Sequence, residues 1–457
     1  MAGGRIWTLM CVAGAGLALA VFGVVGPADG APTQSTQQNY RHEGVASCGG
    51  STCHGRQEPT GAVVRQNELL TWQEPSSPAG AHSRAYQLLL EPRSQAIAAK
   101  LGIGPANQAP MCLGCHADNP PPALRGARFD ITQGVGCESC HGGSQQWLSS
   151  HYAVGATHAS NVAMGMYPLS DPKKRAERCL DCHFGSAGQG QFVTHRIMAA
   201  GHPRVSFELD LFTALQRHHD EDADYRRRKQ TVRGVKTWAI GQAMALDRAT
   251  ALYATPRGQD GAFPEFYFFD CRTCHRNFSD DPGFRPADVA NPGRPSLSGF
   301  PTFNDENIIM LAAAARIAAP TLAAQLTTQS RAFHAAFASD RATAVRAAGQ
   351  LGGTARALAA AFENASFSNA QTLSILEAVL AQGQLYTDYQ GAQQAVMAAD
   401  TLISDLQATG GVGGNAAKLL RGDLDRAYAA VRTPEGFKPA EFRATTARLA
   451  AGVRGLR

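Results

Sequence analysis

The sequence predicts a mainly α-helical protein in two parts, a loop-rich region with short helices and then an all-α helical bundle. Residues 31–300 contain most of the prolines and show little periodic secondary structure. From about residue 301 the chain is rich in alanine, almost free of proline and free of cysteine, and it reads as helix throughout. This change in composition predicts a domain boundary near residue 300.

The first thirty residues predict that the protein is exported. Arg5 precedes an uncharged apolar run over residues 6–25, and small residues follow the run. Such a run can be the core of a cleaved signal peptide, or it can stay as an N-terminal membrane anchor. We therefore expect residues 1–30 to be one of these two, and the protein to be periplasmic or otherwise extracytoplasmic, soluble or anchored to the inner membrane. Cys11 lies inside the run and is interpreted as a small apolar residue.

Ten of the eleven cysteines form five close pairs, and a histidine directly follows the second cysteine of every pair. Four pairs have two intervening residues, whereas the first pair has four. In chain order, motifs 1 to 5 are Cys48, Cys53 and His54; Cys112, Cys115 and His116; Cys137, Cys140 and His141; Cys179, Cys182 and His183; and Cys271, Cys274 and His275.

This spacing suits the covalent attachment of haem. Two thiols must reach the two vinyl groups at one edge of a porphyrin, while the next side chain presents an imidazole to the iron. Zinc binding, disulfides and thiol redox centres are the competing interpretations, but none of them explains the repeated histidine. At motif 1 a disulfide, or a motif without haem, stays open as an alternative. The sequence thus predicts five covalently attached c-type haems, with the five motif histidines as proximal iron ligands.

The remaining nine histidines decide the function. A haem with two histidine ligands transfers electrons, whereas a haem with an open sixth position can bind a small molecule. The candidate distal ligands are His82, His151, His158, His195 and His202. The others, expected to be structural or exposed, are His42, His218, His219 and His334. Of these, His42 and His219 are reserve ligands.

Helical periodicity predicts one long helix inside the first region, from about residue 232 to 253. In the second region we predict helices near residues 305–319, 320–337, 340–363, 368–408, 415–432 and 439–455. The candidate N-caps are Asp305, Asp340, Ser368 and Asn415. The glycine-rich stretch 410–414 marks a break. We assign this region to docking or scaffolding, because it shows no constellation of metal ligands or catalytic groups.

The predicted organisation therefore has three segments. Residues 1–30 are a signal peptide or an N-terminal membrane anchor. Residues 31–300 form a pentahaem cytochrome c domain, which is loop-rich with short helices. Residues 301–457 form an Ala-rich helical bundle domain. The five aromatic residues between 263 and 269 are expected to pack on a haem face or to shield the edge of the fifth haem.

Residues 44–203 resemble the multihaem cytochromes related to the tetrahaem cytochrome that accepts electrons from hydroxylamine oxidoreductase. The resemblance rests on motif 1, on the segment His82-Ser-Arg-Ala-Tyr86, and on the glycine-flanked motif 3 that His151 follows. It implies closely packed haem pairs, most irons bound by two histidines and one left with an open position. It also implies that His82 and His151 bind haems other than the nearest in sequence. The fifth haem, the wide motif 1 and the appended helical domain depart from this pattern.

Three functions are considered. The first is an electron-transfer protein that relays electrons between redox partner proteins, and it is favoured because the chain has enough histidines to saturate every iron. The second is an oxidoreductase that acts on a small nitrogen or sulfur species at one five-coordinate haem. The third is a structural subunit whose helical domain docks on a membrane complex. The composition, with a formal net charge of +5, gives no case for a nucleic-acid partner.

Overall fold

The protein is described by a computed structural model over most of its length after residue 39. The described residues are 40–60, 65–187, 191–219, 221–229, 231–259, 264–275, 301, 303–337 and 339–457. The predicted signal peptide or anchor at 1–30 lies outside them. None of the described helices is long and apolar enough to cross a lipid bilayer.

Short helices joined by loops form the first part of the described chain. They are α1 Val45–Cys48, α2 Glu68–Gln73, α3 Ala85–Leu90, α4 Pro92–Leu101, α5 Pro110–His116, α6 Cys137–His141, α7 His158–Ala163, α8 Pro172–His183, α9 His195–Ala200, α10 Leu209–Leu215 and α11 Ala223–Arg228. The long helix α12 Gly234–Ala254 and the short helix α13 Cys271–Cys274 complete this part. The predicted helix near 232–253 is therefore confirmed.

Longer helices form the second part. They are α14 Glu306–Ala318, α15 Pro320–Ala336, α16 Arg341–Asn364, α17 Asn369–Ala381, α18 Tyr389–Ala408, α19 Gly414–Ala430 and α20 Pro439–Arg454. Over the described ranges the secondary structure is helical without any β-strand, and only isolated bridges occur. The predicted fold class, mainly α with a loop-rich first part and a helical second part, is confirmed.

Motifs 2 to 5 each lie on a helical turn. Helices α5, α6 and α8 contain motifs 2 to 4, and α13 contains the two cysteines of motif 5, which His275 directly follows. The two cysteines and the histidine of each motif thus stand at positions i, i+3 and i+4. Motif 1 is built differently, because α1 ends at its first cysteine and the extra residues form a turn. The backbone N–H of His54 donates to the carbonyl of Cys48 over 3.1 Å, which closes this turn. Gly55 packs directly against the backbone of Gly49, where any side chain would clash.

Helix α12 packs against helices of both parts. It contacts α8 and α10 on one side and α14, α16 and α18 on the other. Trp238 and Tyr253 of α12 are fully buried, and one hydrophobic cluster runs from Ala176 in α8 to Val453 in α20. The core is thus continuous across the described residues on both sides of the predicted boundary near residue 300, and the division into two domains stays a prediction.

Two details of the predicted bundle are wrong, although most of its helices lie where expected. The stretch 368–408 is two helices, α17 and α18, because Asp388 caps α18 by accepting the backbone N–H of Gly391 over 2.8 Å. Asn415 lies inside α19, whose N-cap is Gly413. The predicted caps Asp340 and Ser368 are confirmed by the backbone N–H groups that their side chains accept. Asp305 occupies the N-cap position of α14.

Candidate haem sites

Every motif histidine lies opposite a second histidine. The distance between the two ring centroids falls between 6.1 and 6.3 Å in all five cases. The pairs, with the motif histidine first, are His54 with His151, His116 with His202, His141 with His218, His183 with His82, and His275 with His195.

This distance fits two imidazoles on opposite sides of one iron. A metal–imidazole bond is about 2.0 Å long and the bound nitrogen lies about 1.1 Å from the ring centre, which together put the two ring centres roughly 6.2 Å apart. Direct stacking of two rings would also allow centroid distances of about 4.5 Å. The distances in all five pairs are therefore compatible with an iron between the two rings.

Hydrogen bonds at Nδ1 orient five of these rings. Because Nδ1–H donates to an acceptor, Nε2 keeps its lone pair for a metal. The acceptors are Glu68 Oε2 at 2.9 Å for His54, the carbonyl of Ala85 at 3.1 Å for His116, the carbonyl of Leu148 at 2.6 Å for His151, the carbonyl of Pro203 at 2.7 Å for His202, and the carbonyl of Gln216 at 3.3 Å for His218.

Burial keeps most of the paired histidines neutral, which is the form that binds iron. Burial lowers the pKa of His141 to about 3 and the pKa of both His183 and His218 to about 4. It also lowers the pKa of His82, His116 and His202.

The motif cysteines are available for attachment. None of the ten forms a disulfide in the described chain. Helix α8, which carries motif 4, has three side-chain nitrogens that are buried without a hydrogen-bond partner. They are Arg175 Nε, Arg178 Nε and His183 Nδ1. The two arginines could hold the propionate carboxylates of a haem there.

Four of the five candidate distal histidines lie in these pairs, and His158 does not. His158 begins α7 on the exposed surface, where its Nε2 lies 3.3 Å from Ser170 Oγ. The structure brings His218 to motif 3 instead, because α10 leads the chain back towards His141. No sequence pattern indicates this role apart from the adjacent pair His218-His219.

The histidines outside these five pairs make ordinary polar contacts. His42 Nδ1 lies 2.8 Å from Asp118 Oδ2. His334 Nδ1 lies 2.7 Å from the carbonyl of Ser330 in the bundle core. His219 Nδ1 lies 3.6 Å from Glu68 Oε1, and its ring centroid is 4.3 Å from that of His218.

The short helix α9 and the residue after its C-cap supply one histidine to each of two pairs. His195 begins α9 and faces His275 of motif 5, while its backbone N–H donates to Glu265 Oε1 over 2.8 Å. Gly201 ends the helix with a φ of 123°, which favours glycine, and His202 then faces His116 of motif 2. The predicted aromatic segment contributes here, because Phe266 packs edge-on against His195 at a centroid distance of 5.4 Å.

Thiols of different motifs lie next to each other. Cys48 of motif 1 lies close to Cys137 of motif 3, and Cys115 of motif 2 lies close to Cys182 of motif 4. Helix α1 accordingly contacts α6, and α5 contacts α8. Motif 1 therefore lies beside motif 3, and motif 2 lies beside motif 4.

Two further contacts connect the remaining motifs. Cys140 of motif 3 lies close to Cys179 of motif 4. Arg204, two residues after His202, lies with Nη1 at 3.7 Å from the sulfur of Cys271 in motif 5. Motif 3 is thus a neighbour of motif 4, and motif 5 is a neighbour of motif 2.

The comparison with known families agrees with this site. Residues 51–142 match the family model described as cytochrome c554 and c-prime, and this segment contains His54 and motifs 2 and 3. Neither the curated proteins nor the solved structures include a match to the chain. The family match supports a multihaem c-type cytochrome, with covalently bound haem, that works in electron transfer.

Proposed function

We propose that the protein is an exported electron relay with five covalently bound haems, each held by two histidines. The observation that carries this proposal is the second histidine, 6.1–6.3 Å away, opposite every motif histidine. Haem supplies a one-electron iron centre. The two histidines of each pair would hold that iron from both sides, so that little rearrangement would accompany each electron.

The haems are proposed to form one chain in the order of motifs 1, 3, 4, 2 and 5. The proximity of Cys48 to Cys137 and of Cys115 to Cys182 supports the first and third steps. The interaction of Cys140 with Cys179 supports the second step, and the position of Arg204 beside motif 5 supports the last. Electrons would thus move between sites in an order that differs from the order of the motifs in the sequence.

Motifs 1 and 5 are proposed to be the ends that exchange electrons with redox partner proteins. Among the ten motif cysteines, Cys53 and Cys274 are exposed, and the other eight are only partly exposed. Both exposed cysteines belong to the terminal motifs of the proposed chain. The partners are expected outside the cytoplasm, with residues 6–25 as a signal or an inner-membrane anchor. The resemblance to the acceptors of hydroxylamine oxidoreductase makes an enzyme one candidate donor and a quinone-linked protein another.

A small-molecule oxidoreductase has less support. Such an enzyme needs an iron with an open sixth position, and in this chain each motif histidine has a histidine opposite it. The relay is therefore the function that the arrangement supports best.

Intact mass spectrometry and spectroscopy of the full-length protein, produced in a host that matures c-type haems, test the proposal. We expect a mass with five haems, and the same spectrum reports whether residues 1–30 have been removed. We expect the ferric protein to be entirely low-spin, and the reduced protein not to bind carbon monoxide.

Two variants sharpen this test. Replacing Cys48 and Cys53 together by alanine should leave four haems, whereas Cys11→Ala should leave five, because Cys11 lies outside the motifs. A wild-type count below five would refute the pentahaem assignment. One high-spin iron that binds carbon monoxide would refute the purely relay function, and it would restore the oxidoreductase.

A further inference from the structure

His54 differs from the other paired histidines in the group that its Nδ1 contacts. Glu68, in the first turn of α2, is 5% exposed and places Oε2 2.9 Å from His54 Nδ1. Four other paired histidines also have a described Nδ1 acceptor, and in each case that acceptor is a backbone carbonyl. The proximal ligand of motif 1 is thus set apart by a carboxylate.

The local backbone fixes this carboxylate. Glu68 Oε1 accepts the backbone N–H groups of Arg65 at 3.1 Å and Gln66 at 3.3 Å, so the chain folds back over the carboxylate. Gln66 has a φ of 64°, a conformation that costs energy for a residue with a side chain. The guanidinium of Arg65 in turn pairs with Asp222, the N-cap of α11. The orientation of Glu68 is therefore built into the fold.

The same carboxylate also reaches towards motif 3. His219 Nδ1 lies 3.6 Å from Glu68 Oε1, and His219 packs against His218, the partner of His141. The carboxylate of Glu68 therefore lies between histidines at two neighbouring motifs.

We propose that Glu68 is a positioning residue that holds His54 in its orientation and makes the motif 1 haem the lowest in midpoint potential of the five. This inference rests on the proposed function, because it presupposes a haem on motif 1. A hydrogen bond from Nδ1–H to a carboxylate increases electron donation from the imidazole to the iron, which stabilises the ferric state with its additional positive charge. In a buried site the negative charge is poorly screened and acts in the same direction.

The position of motif 1 at one end of the proposed chain gives this effect a direction. An electron on the haem of lowest potential moves downhill to any of the others. Electrons would therefore arrive from a partner at motif 1 and leave at motif 5. Within the described residues, no carboxylate accepts a hydrogen bond from Nδ1 of His275 or His195.

Spectroelectrochemical titration of the full-length haem-loaded protein tests the inference, with Glu68→Gln compared with Glu74→Gln. Glu74 directly follows the same helix but is exposed and contacts Ser76 rather than a motif histidine. In E68Q we expect the lowest of the five midpoint potentials to rise by about 59 mV, which is a tenfold change in a one-electron equilibrium. E74Q should leave all five potentials where they are.

The outcomes separate this inference from the proposed function. Intact mass and spin state, measured on the same samples, first establish five low-spin haems, and a failure at that stage counts against the proposed function. If five low-spin haems are present and E68Q shifts no potential, Glu68 is only structural and the inference is overturned. If the shifted potential is not the lowest of the five, the proposed direction is overturned.

A second variant covers the case in which E68Q does not mature. Glu68→Asp keeps the negative charge but shortens the side chain, so that the contact with His54 lengthens. We expect E68D to raise the lowest potential by less than E68Q does and to keep five haems. An unchanged set of five potentials in E68D, together with a changed spin state of one haem, would assign Glu68 to ligand retention alone and overturn its effect on potential.

Discussion

The imidazole rings of His54 and His151 are nearly parallel, with centroids 6.1 Å apart and an angle of 12° between their planes. The planes of His195 and His275 are 29° apart. In the other three pairs the planes are 72°, 84° and 87° apart. Parallel ligand planes separate the energies of the two iron d orbitals that interact with imidazole, whereas perpendicular planes leave them nearly equal. The five sites therefore fall into two electronic groups.

The first prediction concerns the EPR spectrum of the ferric protein. We expect two rhombic low-spin signals from the near-parallel pairs and three signals with a large maximum g value from the near-perpendicular pairs. Spin quantification at low temperature should give a ratio of two to three. The variant His151→Met should remove one rhombic signal and leave the other four signals intact. Five signals of a single type would contradict these ring orientations.

The second prediction identifies the distal ligand of motif 3. Because His218 is the residue opposite His141, we expect His218→Ala to open one coordination position. The reduced variant should bind carbon monoxide, and its ferric form should show one high-spin haem. His158→Ala should remain fully low-spin, since His158 is exposed and lies beside Ser170.

His219 provides the control for this experiment, because its ring lies next to that of His218. His219→Ala alone should remain low-spin, and the double variant His218→Ala/His219→Ala excludes rescue by the neighbour. If His158→Ala opened the site and the double variant did not, His158 would be the ligand and this pairing would be wrong.

The third prediction concerns the carboxylate inside motif 3. Glu138 is 2% exposed and accepts the backbone N–H groups of Glu43, Gly44 and Ser144 at 2.7–2.8 Å. In Glu138→Gln an amide N–H₂ replaces one acceptor and faces N–H donors, so we expect a loss of about 2 kcal/mol in the free energy of unfolding. Chemical denaturation of the haem-loaded protein measures it. A change below about 0.5 kcal/mol would contradict the role of these hydrogen bonds.

The fourth prediction concerns the junction between α12 and the bundle. Arg233, the N-cap residue of α12, binds Asp405 of α18 at 2.5 Å and Asn369 at 2.9 Å, and Asp405 is almost fully buried. Arg233→Met leaves that carboxylate without its cation, so we expect a loss of about 3 kcal/mol. The matched control is Arg426→Met, whose exposed pair with Asp423 should cost less than about 1 kcal/mol. Equal losses in the two variants would refute the argument.

The fifth prediction concerns pH. Burial, reinforced by the charge of Asp210, raises the pKa of Glu208 to about 7 from an ordinary value near 4.5. The folded state therefore holds a proton that the unfolded state releases. The resulting stabilisation is fully present below pH 4.5 and is lost as the pH rises to about 7 and above. We expect Glu208→Gln to remove about 3 kcal/mol of this pH dependence, as measured by denaturation at a series of pH values.

The sequence was sufficient for the attachment motifs and for most of the helices, because both depend on local patterns. The distal ligands depend on how distant segments meet. His82, His151, His195 and His202 could be proposed because few other roles explain them, but His218 could not. Its position opposite His141 follows from the path of α10, which periodicity does not predict. The break between α17 and α18 was missed for a similar reason, since Tyr386 in that connection is buried and continues the apolar pattern.

The histidine pairs also have a topological consequence. Each pair joins residues that are between 77 and 101 positions apart, and the spans of the five pairs overlap along the chain. With iron between the two rings, each pair acts as a cross-link that closes a long loop and restricts the unfolded ensemble. Because the loops interlock, no segment from His54 to His275 can detach without breaking iron ligation elsewhere. A weaker bond between histidine and iron at one site should therefore loosen the whole haem-bearing part rather than that site alone.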